Sequence, residues 1–337
     1  MTQALWSADD RLAPTPAAVV RDPLSDALEC LALSAWGLGS LELSAPWGLA
    51  VASPLGWTYL VERTPCQFDV ERTASVGVAA GDLLVVFPER AHCLRDRADS
   101  PTVPIQSLLE HPRVALCGPM RHGGGSVTRL FCACFRCDGL DRSPLRAALP
   151  AFVHVRGVGG QAAPYVAHLV SLLEAEAASG EPSSQAVVDR LMRILLIKAL
   201  HHYAMTLPDG GVSWLRALVD PEIGQALGFM HARPDEHWTV AALADRVAMS
   251  RSRFASRFAQ LVGQPPLEYL AHWRMQKACH LLRTTRASLK EVAAQVGYES
   301  ASAFSKAFAR SRGVTPGAYR RAGGPTDLGG TTLAPPM

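Results

Sequence analysis

The sequence predicts a mixed α+β protein of several domains, with a strand-rich N-terminal part and an all-helical C-terminal part. Three observations predict this class. Short apolar runs broken by glycine and proline fill residues 23–156, two segments with helical spacing occupy residues 160–206, and a helical pattern within residues 220–321 occurs twice. A length of 337 residues suits two domains, since compact domains usually have ~100–200 residues.

The overall composition is typical of a globular protein with sizeable cores. Apolar residues make up 48% of the chain and charged residues 19%. No apolar run reaches the roughly 18 residues that a membrane helix needs, so we expect no membrane partner. Residues 1–22 carry acidic residues and prolines without the pattern of a signal peptide. We therefore expect a disordered tail at residues 1–22 and a cytoplasmic protein.

The charge is unevenly distributed along the chain. Residues 222–321 contain 15 lysines and arginines against 7 acidic residues, whereas the rest contains 18 against 23. A basic segment joined to a mildly acidic one predicts an anionic partner, such as nucleic acid, for one domain only. The alternative is a solvated basic face that serves solubility.

The N-terminal part has the pattern of an antiparallel sandwich or barrel. Its apolar runs at Leu41–Leu43, Leu83–Phe87 and Thr128–Phe135 are short and are separated by turn-forming residues. A helix is predicted before them, near Leu24–Ala32.

Residues 160–206 predict two helices, separated by Gly180, Pro182 and Ser183. Their apolar faces are wide, so the helices either pack only on the strand-rich domain or also form a homodimer contact. A linker at Leu207–Val212 leads to the C-terminal domain, and residues 322–337, rich in glycine, proline and threonine, predict a second disordered tail.

The strongest signal is an internal repeat in the basic segment. Five anchor residues recur 50 positions later, and the helix before them recurs 49 positions later, so the second copy has one more residue in its turn. The anchors of the first copy are Phe254, Phe258, Gly263, Pro266 and Tyr269, and those of the second are Phe304, Phe308, Gly313, Pro316 and Tyr319. So many matches at one offset indicate two copies of one structural unit.

Each copy has the pattern of a helix-turn-helix. In the first copy an apolar stripe precedes Ser250, which can cap the next helix through its hydroxyl oxygen. In the second, Ser288 and Glu291 form a capping box. Pro266 suits the first turn of a long connecting helix that runs to about Arg283. That helix would place the two units in successive major grooves of one DNA face, roughly 34 Å apart.

The second helix of each unit carries the candidate DNA-binding residues. Arginine, lysine and serine side chains can donate or accept hydrogen bonds at base edges in the major groove, and they can also contact phosphates. For any single residue, a phosphate contact or a solvated side chain is the alternative to base readout. The candidates are Ser250, Arg251, Arg253, Ser256, Arg257, Ser302, Ser305, Lys306 and Arg310.

Residues 222–321 resemble the DNA-binding domain of the AraC/XylS family of bacterial transcription regulators. The residues that carry the resemblance include Met249–Phe254, Gly263, Pro266, Val296–Tyr298, Phe304–Phe308 and Gly313–Pro316. The resemblance implies double-stranded DNA as a partner and activation beside RNA polymerase, although these motifs do not distinguish activation from repression.

The N-terminal part resembles the cupin sensor domain of one branch of that family. Gly81, Asp82, Pro88 and His92 match the second half of the cupin signature. The stretch Trp57–Arg63 lacks the histidines with which metal-dependent cupins bind their ion. We therefore expect a cupin-like β-barrel that has no metal or other cofactor and is not an enzyme; a metal-dependent cupin enzyme is the disfavoured alternative. His92 is predicted to be a hydrogen-bonded residue at the rim of the barrel.

The cysteines leave three interpretations open. Cys132 and Cys134 share one face of a predicted strand, Cys137 points the other way, and Cys93 or Cys117 could lie near them. They could sense an oxidant, as in relatives that sense reactive chlorine species, with Arg129 and Arg136 lowering a thiol pKa. They could bind zinc, or fill the core as small apolar residues. A small-molecule effector in the barrel is the other signal that we consider; either signal must favour one conformation.

Overall fold

The computed structural model describes residues 23–70, 73–108, 124–138, 146, 149–207 and 213–323. The predicted tail at residues 1–22, nearly all of the tail at 322–337 and most of the linker before residue 213 lie outside these ranges, as does Cys117. Within the described ranges, no helix is both long and apolar enough to cross a membrane.

Among the described residues, the N-terminal domain contains helix α1 and ten strands. The opening helix is confirmed as α1, Pro23–Glu29, and the three apolar runs are confirmed as strands. The strands are β1 Ala32–Ser44, β2 Gly48–Val51, β3 Gly56–Arg63, β4 Cys66–Val70, β5 Val76–Val78, β6 Leu83–Val86, β7 His92–Arg95, β8 Val103–Pro104, β9 Val127–Asp138 and β10 Phe152–Val155. They form two five-stranded sheets with the orders β1-β9-β3-β6-β10 and β5-β4-β7-β2-β8.

The predicted cupin-like domain is confirmed, but its sheets are not closed into a barrel, because no pairing among the described strands joins one sheet to the other. Strands β3 and β4 are consecutive, yet they pair in different sheets. The second sheet ends in β5 and β8, which have only three and two residues. Pro104 in β8 has no N–H to donate to a further strand. The domain is therefore an open cupin-like sandwich.

The first sheet is buried on both faces, as β9 illustrates. Leu130, Cys132 and Cys134 point into the sandwich interior, whereas Phe131 and Phe135 belong to a second core on the opposite face. The predicted pair of helices, α2 Pro164–Ser179 and α3 Ser184–Thr206, is confirmed and contributes to this second core. Alternation along one strand thus builds two cores at once.

The C-terminal domain is helical, and the predicted repeat is confirmed. Helices α6 and α7 form the first helix-turn-helix, α9 and α10 form the second, and the 19-residue helix α8 joins them. The helices are α4 Trp214–Val219, α5 Pro221–Ala232, α6 Val240–Arg246, α7 Arg251–Val262, α8 Pro266–Thr284, α9 Leu289–Gln295, α10 Ala301–Arg312 and α11 Pro316–Gly323. Helix α11 extends two residues into the predicted C-terminal tail.

The aromatic contacts repeat with the sequence. Ring centroids lie 5.7 Å apart for Phe254 and Phe258 and 5.6 Å apart for Phe304 and Phe308. Each second phenylalanine contacts a tyrosine ring edge-on: Phe258 contacts Tyr269 at 5.7 Å, and Phe308 contacts Tyr319 at 5.4 Å. These aromatic contacts anchor α7 and α10 in equivalent ways.

The two helix-turn-helix units pack against different hydrophobic cores. The core of the first unit is continuous, through α3, α4 and α5, with the second core on the outer face of the first sheet. This core extends to Trp273 in α8. The second unit has a separate core that begins at Met275. The first helix-turn-helix is therefore packed into the N-terminal domain, and the second is held mainly by the end of α8.

A buried carboxylate fixes the loop that connects the first sheet to α2. Asp82 is 4% exposed and accepts hydrogen bonds from the backbone N–H of Ala79 at 3.0 Å and that of Gly157 at 2.7 Å. The oxygen that accepts from Ala79 also lies 2.7 Å from Nε2 of His154. All three partners lose their hydrogen-bond acceptor if the carboxylate is removed.

We expect Asp82→Ala to lower the free energy of unfolding by about 3 kcal/mol, because it leaves buried donors without an acceptor. Urea titration of the full chain, followed by tryptophan fluorescence, measures the change. The exposed Asp99 provides a matched control, since Asp99→Ala removes a carboxylate that is in solvent. Equal unfolding midpoints for the two variants would contradict this role.

Candidate nucleic-acid interface

Helices α7 and α10 each bury two phenylalanines and expose a polar row on the other side. Neither helix contains an acidic residue, so both surfaces are neutral or positive. The exposed residues of α7 include Arg251, Ser252, Arg253, Ser256 and Gln260, and those of α10 include Ser302, Ala303, Lys306, Arg310 and Ser311. Such a surface can contact both phosphates and base edges.

Three of the nine candidate residues have partners within the chain. The Ser250 hydroxyl caps α7 by accepting from the Arg253 N–H at 3.4 Å, as the sequence predicts. The Ser305 hydroxyl donates to the carbonyl of Ala301 at 2.7 Å. The Arg257 guanidinium donates to Asp220. The other six, Arg251, Arg253, Ser256, Ser302, Lys306 and Arg310, are exposed.

Sequence reasoning missed two exposed residues of α7, Ser252 and Gln260. The 50-residue offset could have found them, because Ser252 corresponds to Ser302 and Gln260 corresponds to Arg310. The same offset pairs Arg257 with Ala307, a residue that cannot contact DNA through a charged group. Arg251 and Arg253 also correspond to alanines, so it is the contact with Asp220, and not the repeat, that distinguishes Arg257 from the exposed row.

In the sandwich interior, His92 and Tyr59 form a buried hydrogen-bonded pair. Nδ1 of His92 lies 2.8 Å from the carbonyl oxygen of Arg90, so it must carry the proton. Nε2 then accepts from the Tyr59 hydroxyl at 2.8 Å. Burial lowers the pKa of His92 to about 4, which keeps the ring neutral. The prediction of a hydrogen-bonded histidine is confirmed, although the ring is buried rather than at a rim.

The prediction that arginines lower the pKa of the thiols is wrong for Cys132 and Cys134. Burial raises the pKa of Cys132 well above its usual range and that of Cys134 to about 12. Nε of Arg129 lies 2.5 Å from a carboxylate oxygen of Glu62, and the Arg136 guanidinium lies 5.4 Å from the centre of the Trp36 ring. Both cations are thus engaged elsewhere.

Cys132 and Cys134 both point into the sandwich, and Cys137 packs on the opposite side, as predicted. Two residues along a strand separate side chains by about 6.6 Å. A disulfide requires Cβ atoms ~3.5–4.5 Å apart, so Cys132 and Cys134 cannot join without rearrangement. Cys93 is partly exposed on β7, in the other sheet. Among the described residues, no three His, Cys, Asp or Glu side chains are grouped to hold a metal ion.

A pocket of about 460 Å³ lies outside the sandwich, between β3, the turn before β6 and the start of α2. Burial raises the pKa of Glu62 at its wall, although Arg129 opposes this shift. The lining residues are Leu60, Val61, Glu62, Gly81, Gly160, Gln161, Ala162, Pro164, Ala167 and His168. The lining thus combines apolar side chains with a few polar groups.

Comparisons with known proteins cover both halves of the chain. A cupin family model matches residues 22–205, and a helix-turn-helix domain model matches residues 243–322. A putative AraC-like transcription regulator of Streptomyces lividans is 33% identical over 302 residues, which are 89% of this chain and 98% of the relative. The chain belongs to the AraC family of transcription regulators.

Two further relatives have more specific names. The HTH-type transcriptional regulator AlkR of Acinetobacter baylyi is 37% identical over 269 residues, 78% of this chain and 87% of the relative. The RCS-specific HTH-type transcriptional activator RclR of Escherichia coli K12 is 31% identical over 151 residues, 45% of this chain and 53% of the relative. Like its family, the chain is a DNA-binding transcription regulator.

We expect Lys306→Ala to weaken DNA binding, because it removes an exposed cation from α10; if the lysine contacts a base, the loss should be ~1–3 kcal/mol and specificity should relax at one position. Fluorescence anisotropy on a DNA fragment from upstream of the protein's own gene measures the loss. Lys198→Ala is the matched control, since it removes an exposed lysine from α3, outside both helix-turn-helix units. Equal affinity of the two variants would rule out a contact at Lys306.

We expect iodoacetamide at pH 8 to alkylate Cys93 and Cys137 before Cys132 and Cys134, because the buried thiols hold almost no thiolate. Peptide mass spectrometry of the native protein gives the order, and unfolding in guanidinium should make the four rates similar. Early modification of Cys132 would mean that the sandwich opens readily.

Proposed function

We propose that the chain activates transcription by reading two adjacent DNA segments with α7 and α10, in response to a small molecule sensed by the N-terminal domain. The observation that carries the proposal is the pair of equivalent recognition helices on one rigid connector. Helix α8 has 19 residues, roughly 28 Å at 1.5 Å per residue. That length suits two readers in successive major grooves.

Activation is proposed because the Escherichia coli relative is named as an activator. RNA polymerase is then the expected protein partner. A homodimer would use the outer face of α2 and α3, where Leu172 is 53% exposed and Ile194 is 43% exposed. A non-enzymatic role agrees with relatives that are transcription regulators, and with His92, whose two ring nitrogens are already hydrogen-bonded.

A small molecule is preferred to an oxidant as the signal. The raised pKa values of Cys132 and Cys134 and their spacing along β9 disfavour a thiol pair that closes on oxidation. The sandwich interior is filled by aromatic and aliphatic side chains. The pocket beside Glu62 offers space for a small ligand next to α2, from which binding could act on the helices.

The test uses the full-length protein and DNA selected by it from a randomised duplex library. We expect a motif with two parts about one helical turn apart, and an affinity that falls steeply between about 50 and 200 mM salt as counterions are released. Selection of no motif, or an affinity independent of salt, would overturn DNA reading by these helices.

Treatment with mild hypochlorite distinguishes a small-molecule signal from an oxidant. We expect the reduced and treated proteins to bind the selected DNA equally, because the buried thiols react slowly. A reversible change that a Cys132→Ala variant lacks would instead establish an oxidation sensor.

A further inference from the structure

The short helix α4 is bonded to the first recognition helix at both of its ends. At one end the Ser213 N–H donates to the carbonyl of Leu261, in the last turn of α7, at 3.0 Å. At the other end Nε and Nη2 of Arg257, in the middle of α7, lie 3.1 and 2.5 Å from one oxygen of Asp220. Helix α4 therefore holds α7 at two points along its length.

Both oxygens of the Asp220 carboxylate accept hydrogen bonds. Its other oxygen accepts the Ile223 N–H at 2.9 Å and so caps α5. The Asp220 side chain is only 8% exposed, while that of Arg257 is 42% exposed. A charge-assisted pair with one partner nearly buried is worth more than a surface ion pair, because solvent screens it less.

Helix α4 is also fixed to the N-terminal domain and to α8. Nη1 of Arg216 donates to the carbonyl of Leu207, just after α3, at 2.7 Å. Nε1 of Trp214 donates to the Tyr269 hydroxyl of α8 at 2.9 Å. Trp214 and Leu215 belong to the core that continues from the first sheet. The orientation of α7 is thus set by an element with its own anchors on both sides.

The second unit lacks the corresponding arginine. Arg257 corresponds to Ala307, and the core around α10 is separate from that around α4. We propose that Asp220 and Arg257 are positioning residues that orient α7, and only α7, on its half of the DNA site. The proposal rests on the proposed DNA reading by α7 and α10, and it assigns Arg257 no contact with DNA.

The experiment compares the DNA motifs that full-length variants select from a randomised duplex library. D220N removes the charge but keeps a good cap for α5, since asparagine caps about as well as aspartate. R257A removes the other partner, and R257K keeps its charge without the forked geometry. R310A, on the exposed row of α10, identifies the half-site that α10 reads.

We expect D220N and R257A each to reduce base preference about tenfold in the half-site that R310A leaves intact, and to leave the other half-site unchanged. The double variant should be no worse than either single one, because both remove the same pair. R257K should restore little, and the salt dependence of affinity should match that of the wild type.

Three outcomes would overturn the proposal. In the first, R257A lowers the salt slope by about one while D220N binds normally, which identifies a phosphate contact. In the second, both half-sites weaken equally together with a lower Tm, which identifies general destabilisation. In the third, the variants select the wild-type motif. A wild-type chain that selects no motif would overturn the proposed function itself.

Discussion

Burial of apolar side chains on the outer face of the first sheet holds the two halves of this regulator together. Phe131 and Phe135 begin a core that continues through α3 and α4 to Trp273, in the middle of α8. Because this core is continuous, the first helix-turn-helix has no independent position: its location follows from the packing of α3 and α4 on the sheet. The second unit depends on the first through α8.

The two units share a sequence pattern but have different mechanical surroundings. Their phenylalanine pairs, tyrosine contacts and serine caps are equivalent. Only the first is bonded to a neighbouring element through Asp220 and Arg257, and its core merges with that of the N-terminal domain. The two recognition helices of a duplicated unit can therefore be held with unequal rigidity. Among the described residues, α3, α4 and α7 form one contiguous packing path.

Strand β9 shows how position decides the chemistry of a residue. Arg129 lies on the opposite face of the strand from Cys132 and Cys134, whereas Arg136 shares their face but contacts the Trp36 ring. The thiols of Cys132 and Cys134 point to the carbonyls of Gly39 and Trp36 in the neighbouring strand, at 3.7 and 3.2 Å. In this environment they behave as core residues, and desolvation outweighs any nearby positive charge.

The sequence by itself determined the class of the protein, because that information is local and periodic. Helical stripes, the capping box at Ser288 and the 50-residue offset predict the helix-turn-helix pair, and the short apolar runs predict the strands. Only the tertiary structure decided that the strands form an open sandwich, that the thiols are buried, and that Arg257 faces Asp220 rather than solvent. Each of these features depends on contacts between residues distant in sequence, such as Arg257 and an aspartate 37 positions away. Burial and ion pairing arise only when the fold brings such residues together.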